Sequence, residues 1–284
     1  MGGLRSYRRP PSSFPHITFY LVLAVISSPR ATKINAQGCA TRDPMTWKTS
    51  LKREMRPLSS FDLEPFFLLC EAMSSHCTAD LNPDFPHESA KISCSLFPDH
   101  RRSKRISPLN VLVPCKPAPD VIFTWMSECL IQDRVVQIFE EAQLTGFTTS
   151  PARAKSKGAI DDLSVSEFQI TGWGGVAAAD SGIREVERCD TCGFLRYSAI
   201  EEPRKLIDFS CWDGSDFFMI WPLPRYRFVT KRVVEICKRR KLSGVAFESN
   251  FPVPSAITGY SPGRLSYYMP TGRAHELGDK LDIY

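Results

Sequence analysis

The chain carries one pattern twice, and that duplication limits what it can fold into more than any other feature. Asp120-Val121-Ile122-Phe123-Thr124-Trp125 is echoed by Asp216-Phe217-Phe218-Met219-Ile220-Trp221. Arg134-Val135-Val136-Gln137-Ile138-Phe139, followed by Leu144-Thr145-Gly146, is echoed by Arg232-Val233-Val234-Glu235-Ile236-Cys237, followed by Leu242-Ser243-Gly244. The offset grows from 96 residues at the tryptophans to 98 at the arginines, which places a two-residue insertion near Pro222-Leu223-Pro224. Repeated units in one order imply two related supersecondary units.

Each hexapeptide is aromatic and branched over strand length and reads as a buried strand, with Trp125 and Trp221 in the core. Val135, Ile138, Phe139 and Ala142 recur at helical spacing, as do Val233, Ile236 and Cys237, so each following segment turns one apolar face inward. Asp133 and Thr230 stand where N-caps belong. Gly146 and Gly244 permit the positive φ needed to leave each helix and enter Phe147-Thr148-Thr149 or Val245-Ala246-Phe247 as strands. Ser164 to Thr171 alternates as another strand, which Gly172-Trp173-Gly174-Gly175 should break. The expected fold is α+β: two related strand-helix-strand halves, at about 118–150 and 214–250, forming a mixed sheet with helices within a domain spanning 114–284.

Residues 1–113 read differently. They hold eleven prolines, and 15 Lys/Arg against 9 Asp/Glu, whereas residues 114–284 hold 21 against 22. Apart from Phe61 to Met73 no sustained pattern appears, so this part is expected to be irregular, disordered or mis-started. Arg5, Arg8 and Arg9 before the apolar run Ile17–Ile26 outline a secretory signal, though the run is too short to span a bilayer. The basic run Arg101-Arg102-Ser103-Lys104-Arg105 reads as a solvated loop. A charge-balanced C-terminal part counts against nucleic-acid binding, and Lys238-Arg239-Arg240-Lys241 reads as a solvated helix end. Ten cysteines scattered through 284 residues suggest buried thiols in a reducing, cytoplasmic compartment, with export through the signal-like segment as the alternative.

The sharpest chemical motif is Cys189-Asp190-Thr191-Cys192-Gly193. Its spacing lets two thiolates reach one Zn²⁺, and Cys211 is a candidate third ligand, with Cys237, Cys115 or His275 as a fourth. A reduced pair closing a turn and a redox dithiol are the competing readings. No nucleophile elbow, phosphate-binding glycine loop or zinc-protease helix is present, and Asp161-Asp162 and Glu201-Glu202 diverge rather than pair, so no enzyme and no small-molecule substrate are expected. Trp212, in a turn with Asp213, is the aromatic expected to meet a partner.

The order Cys-x-x-Cys-Gly (189–193), Asp-Gly-Ser-Asp-Phe-Phe (213–218), Arg-Val-Val-Glu-Ile (232–236) and Leu-Ser-Gly-Val-Ala-Phe-Glu (242–248) resembles the C-terminal half of the bacterial double-CxxCG motif family. Phe123 to Phe147 is similar to that family's middle, and the likeness covers roughly 118–250. The family and its relatives include immunity proteins that bind and neutralise toxins, so the resemblance implies binding rather than catalysis. The first Cys-x-x-Cys-Gly is missing upstream of Trp125; either the metal site is incomplete or Cys94 and Cys115 substitute. The expectation is a binding protein that occludes a toxin domain through exposed aromatics with Glu201, Glu202 and Asp213, which complement a basic toxin. The alternative is a small zinc-binding module in regulation or nucleic-acid contact.

Overall fold

The computed structural model describes residues 66–73, 77–160, 162–249 and 260–284, all within one compact unit, Gln37–Tyr284. The signal-like segment, Cys39, Asp161 and the start of the Phe61–Met73 pattern lie outside the described residues. Residues 66–113 supply β1 (Phe67–Glu71), β2 (Asp80–Leu81), β3 (Ser89–Ser93), β4 (Arg101–Arg105) and β5 (Leu109–Val113). The first repeat is β6 (Val121–Phe123), β7 (Cys129–Gln132), α1 (Asp133–Glu141) and β8 (Phe147–Ser156). After it come β9 (Asp162–Leu163), β10 (Val165–Ile170), β11 (Gly172–Val176), β12 (Glu185–Arg188) and β13 (Leu195–Tyr197). The second repeat is β14 (Phe217–Trp221), β15 (Arg227–Val229), α2 (Lys231–Arg239) and β16 (Val245–Glu248), with α3 (Thr271–Gly278) near the end.

The fold is mixed α+β, and the duplication is visible in strand order. In the first half the antiparallel order is β6-β7-β10-β8; in the second it is β14-β15-β1-β16. Each unit is therefore a hairpin, a helix and a returning strand, with one foreign strand inserted between hairpin and return. The sequence shows strand, helix, strand; the second hairpin strand of each unit, only three or four residues long, adds to that pattern. In the first half the inserted strand is β10, which follows β8. In the second it is β1, from the stretch that the sequence sets apart from the folded region.

The first sheet continues through β8 to β5 and β2, and a bridge from Ala79 to Thr124 brings its far end back to β6. Leu109, Val111, Val113, Ile122, Leu130 and Ala154 fill the space it encloses. Cys77 and Cys115 form a disulfide across this region, Cα atoms 5.6 Å apart, where the sequence suggests free thiols. The larger core lies between the halves and holds Phe123, Ile131, Val135 and Phe139 from one unit and Phe217, Met219, Trp221, Val233 and Ile236 from the other.

The halves lock each other reciprocally. Asp120, before β6, accepts hydrogen bonds from the backbone N–H and hydroxyl of Ser243 in the second unit, both 2.8 Å. Asp216, before β14, accepts from the backbone N–H (3.0 Å) and hydroxyl (3.2 Å) of Thr145 in the first. The hydroxyls in turn accept the N–H groups of Asp120 (3.0 Å) and Asp216 (3.1 Å). Arg134 pairs with Asp120, and Arg232 with Asp216 at 3.0 Å. Gly146 and Gly244 follow at φ +85° and +81°, and a Cβ there would strike the carbonyl oxygens of Phe217 and Val121. Glycine is needed at both places for its positive φ and for the close backbone approach.

Other expectations are corrected. Gly172-Trp173-Gly174-Gly175 does end β10, as expected, but the segment is itself a strand: Gly172–Val176 is β11 of the other sheet, parallel to β14, where Gly172 and Gly174 allow close approach to Phe217 and Phe218. Asp133 is the first residue of α1, not its cap; Gln132 holds that place, and neither it nor Thr230 makes a side-chain capping bond. The Thr230 hydroxyl donates to Asp216 instead, at 3.0 Å. The basic run 101–105 is β4, not a loop, and Arg105 pairs with the buried carboxylate of Glu167. Trp125 is 73% exposed, against 1% for Trp221.

Candidate metal centre

Two small hairpins meet at their tips. β3 pairs with β4 and β12 with β13, and each pair forms a separate two-stranded sheet. Cys94 follows the last residue of β3 and His100 precedes the first of β4. Cys189 follows β12, and Cys192 lies in the turn before β13. The ligand atoms of Cys94, His100, Cys189 and Cys192 all lie within 4.8 Å of one another, so the cluster could hold a metal ion. The tips are joined by this cluster, by its flanking polar contacts and by Phe194 of one hairpin stacked on His100 of the other.

The donor set can be tested against a metal's demands. Sγ of Cys94 and Cys189 are 3.8 Å apart, and Cys192 Sγ lies 3.7 Å from Nδ1 of His100. Tetrahedral coordination with metal–sulfur bonds of about 2.3 Å requires edges of about 3.8 Å. Four protein ligands fill such a shell completely. Three soft sulfurs and an imidazole suit Zn²⁺ far better than a hard cation that prefers oxygen.

Backbone geometry favours thiolates in the cluster. Burial pushes the Cys94 thiol up, but N–H groups of Leu96 and Phe97 aimed at its sulfur, with the neighbouring thiols, bring it net below its ordinary value. The N–H of Cys192, with smaller help from His100 and Thr191, lowers the Cys189 thiol against desolvation. Cys192 is raised, first by burial and then by its sulfur neighbours. The backbone amides thus favour the charged form at Cys94 and Cys189, whereas at Cys192 burial and the neighbouring sulfurs oppose it. Gly193 turns the chain at φ +65°, and Arg102 donates to the carbonyls of Cys192 and Gly193, tying β4 to the other hairpin.

His100 is buried and held on every side. Its ring stacks on Phe194 at 4.2 Å with 6° between planes, and Phe97 packs at 4.8 Å. Nε2 meets Glu187 at 2.8 Å, leaving Nδ1 turned to the sulfurs.

Of the expected ligands, Cys189 and Cys192 come together here, and Cys94 takes the substitute's place. Cys211 does not join them: its thiol lies 3.6 Å from the carboxylate of Asp208, beneath Gly175. Cys115 is in the disulfide, Cys237 is a core thiol pushed up to about 12 by burial, and His275 stacks on Tyr284 and meets Asp279 at 3.0 Å. His100 is the ligand the sequence hides, because Cys-x5-His is not a spacing that identifies a metal site.

The expected contact residues are placed as follows. Trp212 is half-buried, packs on Phe66 and Phe218 and donates its indole N–H to Ser215. Asp213 accepts from Trp173, Ser215 and Arg273, so its carboxylate is used within the fold. Glu201 and Glu202 are exposed, Glu201 facing Arg184 at 3.4 Å. No helix among the described residues is long and apolar enough to cross a membrane. No known family model and no curated protein matches the chain.

Proposed function

We propose that the chain is a non-enzymatic binding protein of the toxin-neutralising kind, on a scaffold clamped by a structural zinc ion. The observation that carries the binding reading is the turn between β6 and β7. Trp125 and Met126 stand there 73% and 53% exposed. The turn beneath them is fixed: the Thr124 hydroxyl accepts from the N–H groups of Met126 (3.2 Å) and Glu128 (3.1 Å). Arg225 and Arg227 donate to the carbonyls of Met126 (2.9 Å) and Ser127 (2.6 Å). On a preformed turn the backbone loses little freedom on binding, so a tryptophan with an adaptable methionine beside it can fill a partner's pocket. Trp125 thus takes the role expected of Trp212, while Glu201 and Glu202 remain exposed acids suited to a basic toxin.

Cys94, His100, Cys189 and Cys192 would hold the zinc, which joins the two hairpin tips and leaves no coordination position for a substrate. The regulatory or nucleic-acid reading has less support, since Arg102 and Arg105 are engaged inside the fold and Arg240 pairs with Glu141. The disulfide favours an oxidising compartment, and therefore export, over the cytoplasmic reading.

The test expresses the neighbouring reading frames in a host cell, alone and with the full chain, and measures growth. One frame should be lethal, the full chain should rescue it, and Trp125→Ala combined with Met126→Ala should abolish rescue while leaving the melting temperature within a few degrees. A lethal neighbour that is not rescued, or the lack of any lethal neighbour, removes the proposal. Rescue unaffected by the double substitution moves the contact surface elsewhere.

A further inference from the structure

The cluster has a neighbour outside its four ligands that ties the hairpins together. Glu187 lies on β12 with Arg196 of β13 as its cross-strand partner, and its Oε2 pairs with Arg196 at 2.6 Å. Its other oxygen, Oε1, reaches across to the β3–β4 hairpin and meets Nε2 of His100 at 2.8 Å. The histidine side chain is 8% exposed and the carboxylate 30%. From this geometry we infer that Glu187 is the positioning residue of the metal centre: it accepts a hydrogen bond from the Nε2–H of His100, fixes the tautomer and presents Nδ1 to the metal.

The argument rests on the metal reading and adds to it. A neutral imidazole has one nitrogen to donate and one to coordinate, and the hydrogen bond on the first decides which is which. Nε2 faces a carboxylate and Nδ1 faces the Cys192 sulfur, so the assignment needs no movement of the ring. Arg196 holds the carboxylate from behind, and Phe194 and Phe97 fix the ring plane. A carboxylate on the outer nitrogen also makes the imidazole a better donor, the usual outer-shell contribution to such sites. Glu187 therefore lets the Cys-x-x-Cys hairpin hold the one non-sulfur ligand, which comes from the other hairpin. The structural alternative is that the Glu187–His100 contact merely ties two loops together, with no bearing on the metal.

The experiment uses the purified full chain and zinc alone. Affinity is read by competition with a chromophoric chelator, thiolate number by the charge-transfer bands of the cobalt form, and the His100 tautomer by nitrogen-15 shifts in the zinc form. The wild type should bind one zinc through three thiolates, with Nδ1 coordinated and Nε2 protonated. Glu187→Ala should weaken zinc binding about 10- to 100-fold with the three-thiolate bands retained. Glu187→Gln, whose amide oxygen can still accept the hydrogen bond from Nε2–H, should lose only about 3- to 10-fold and keep the tautomer. If Glu187→Ala binds as tightly as the wild type while Cys189→Ser loses zinc, the metal centre stands and the positioning role is wrong. Coordination through Nε2 also overturns it. A wild type with no stoichiometric zinc overturns the metal reading and this inference together. Matching circular dichroism of the zinc-free Glu187→Gln variant and wild type separates lost affinity from a lost fold.

Discussion

Trp125 and Trp221 occupy the same place in the two repeated hexapeptides and meet opposite fates. Trp221 is the last residue of β14, donates its indole N–H to the Tyr197 hydroxyl at 2.8 Å and packs edge-on against that ring. Trp125 stands beyond the end of β6, in water. The cause lies one residue earlier and one strand away. Thr124 turns its hydroxyl back on the amides of Met126 and Glu128 and ends the strand, whereas Ile220 at the matching position offers no such competitor. β14 also has β11 along its other edge, with Val176 opposite Trp221, while β6 has no paired strand there among the described residues, its edge meeting the Ala79 bridge and the Ser243 carbonyl. Duplication preserved the sequence pattern; the neighbours decided what each tryptophan does.

The first way to break this comparison is to delete each ring and measure stability by urea denaturation. Trp221→Ala should cost about 3–5 kcal/mol, because a large buried side chain is removed from a close-packed site and Tyr197 loses its partner. Trp125→Ala should stay within about 0.5 kcal/mol of wild type. Equal losses would mean that Trp125 is covered in solution and that the exposed turn is not a surface at all.

Where the halves agree, removal should hurt alike. Asp120→Ala and Asp216→Ala each withdraw a carboxylate from two hydrogen bonds of the opposite unit and from an arginine, and each should cost about 2–3 kcal/mol. A difference above about 1 kcal/mol would break the reciprocity. Acid sharpens the point for Asp120, whose carboxyl is held below its ordinary value: burial works against this, but the Ser243 amide and hydroxyl and the Arg134 guanidinium outweigh it. A carboxyl lowered on folding adds stability that is fully present above its unfolded value of about 3.9 and is lost as pH falls through the folded one. Asp120→Asn should thus be weaker than wild type at pH 7 and lose less on going from pH 5 to pH 2. Parallel acid limbs for the two proteins would show that Asp120 does not titrate during unfolding.

How much of this was legible beforehand follows the range of the interactions. The repeats, the helices at 133–141 and 231–239, and the glycines that close them are local patterns, and each is where the sequence puts it. β1 is not local: Phe67–Glu71 pairs with strands from the far end of the chain, and nothing within five residues signals that it will complete the second half as β10 completes the first. The metal cluster splits along the same line. Cys189 and Cys192 carry their own motif, whereas Cys94 and His100 become ligands only because β3 and β4 hold their loop against the other hairpin. Cys211 is near Cys192 in sequence and separate from it in space, so proximity along the chain misled where topology decides.

The smallest expected effect tests where the reciprocal lock stops being symmetrical. Arg134 and Arg232 pair with equivalent aspartates, and both guanidinium groups are about half exposed, so the ion pairs alone should be worth at most about 1 kcal/mol. Arg232 has further contacts: it donates to the carbonyls of Ala142 and Gln143, the last turn and exit of α1 in the other half. Those carbonyls have no helical partners, and a cation beside them also meets the negative end of the helix. Arg232→Ala should therefore cost about 1–1.5 kcal/mol and Arg134→Ala about 0.5 kcal/mol, with the gap closing when Arg232 is replaced by Lys only if the dipole, not the directed hydrogen bonds, is responsible. A reversed order would place the asymmetry on the Asp120 side, where Arg134 meets both carboxylate oxygens, through Nε and Nη2, while Arg232 meets Asp216 through Nη1 alone.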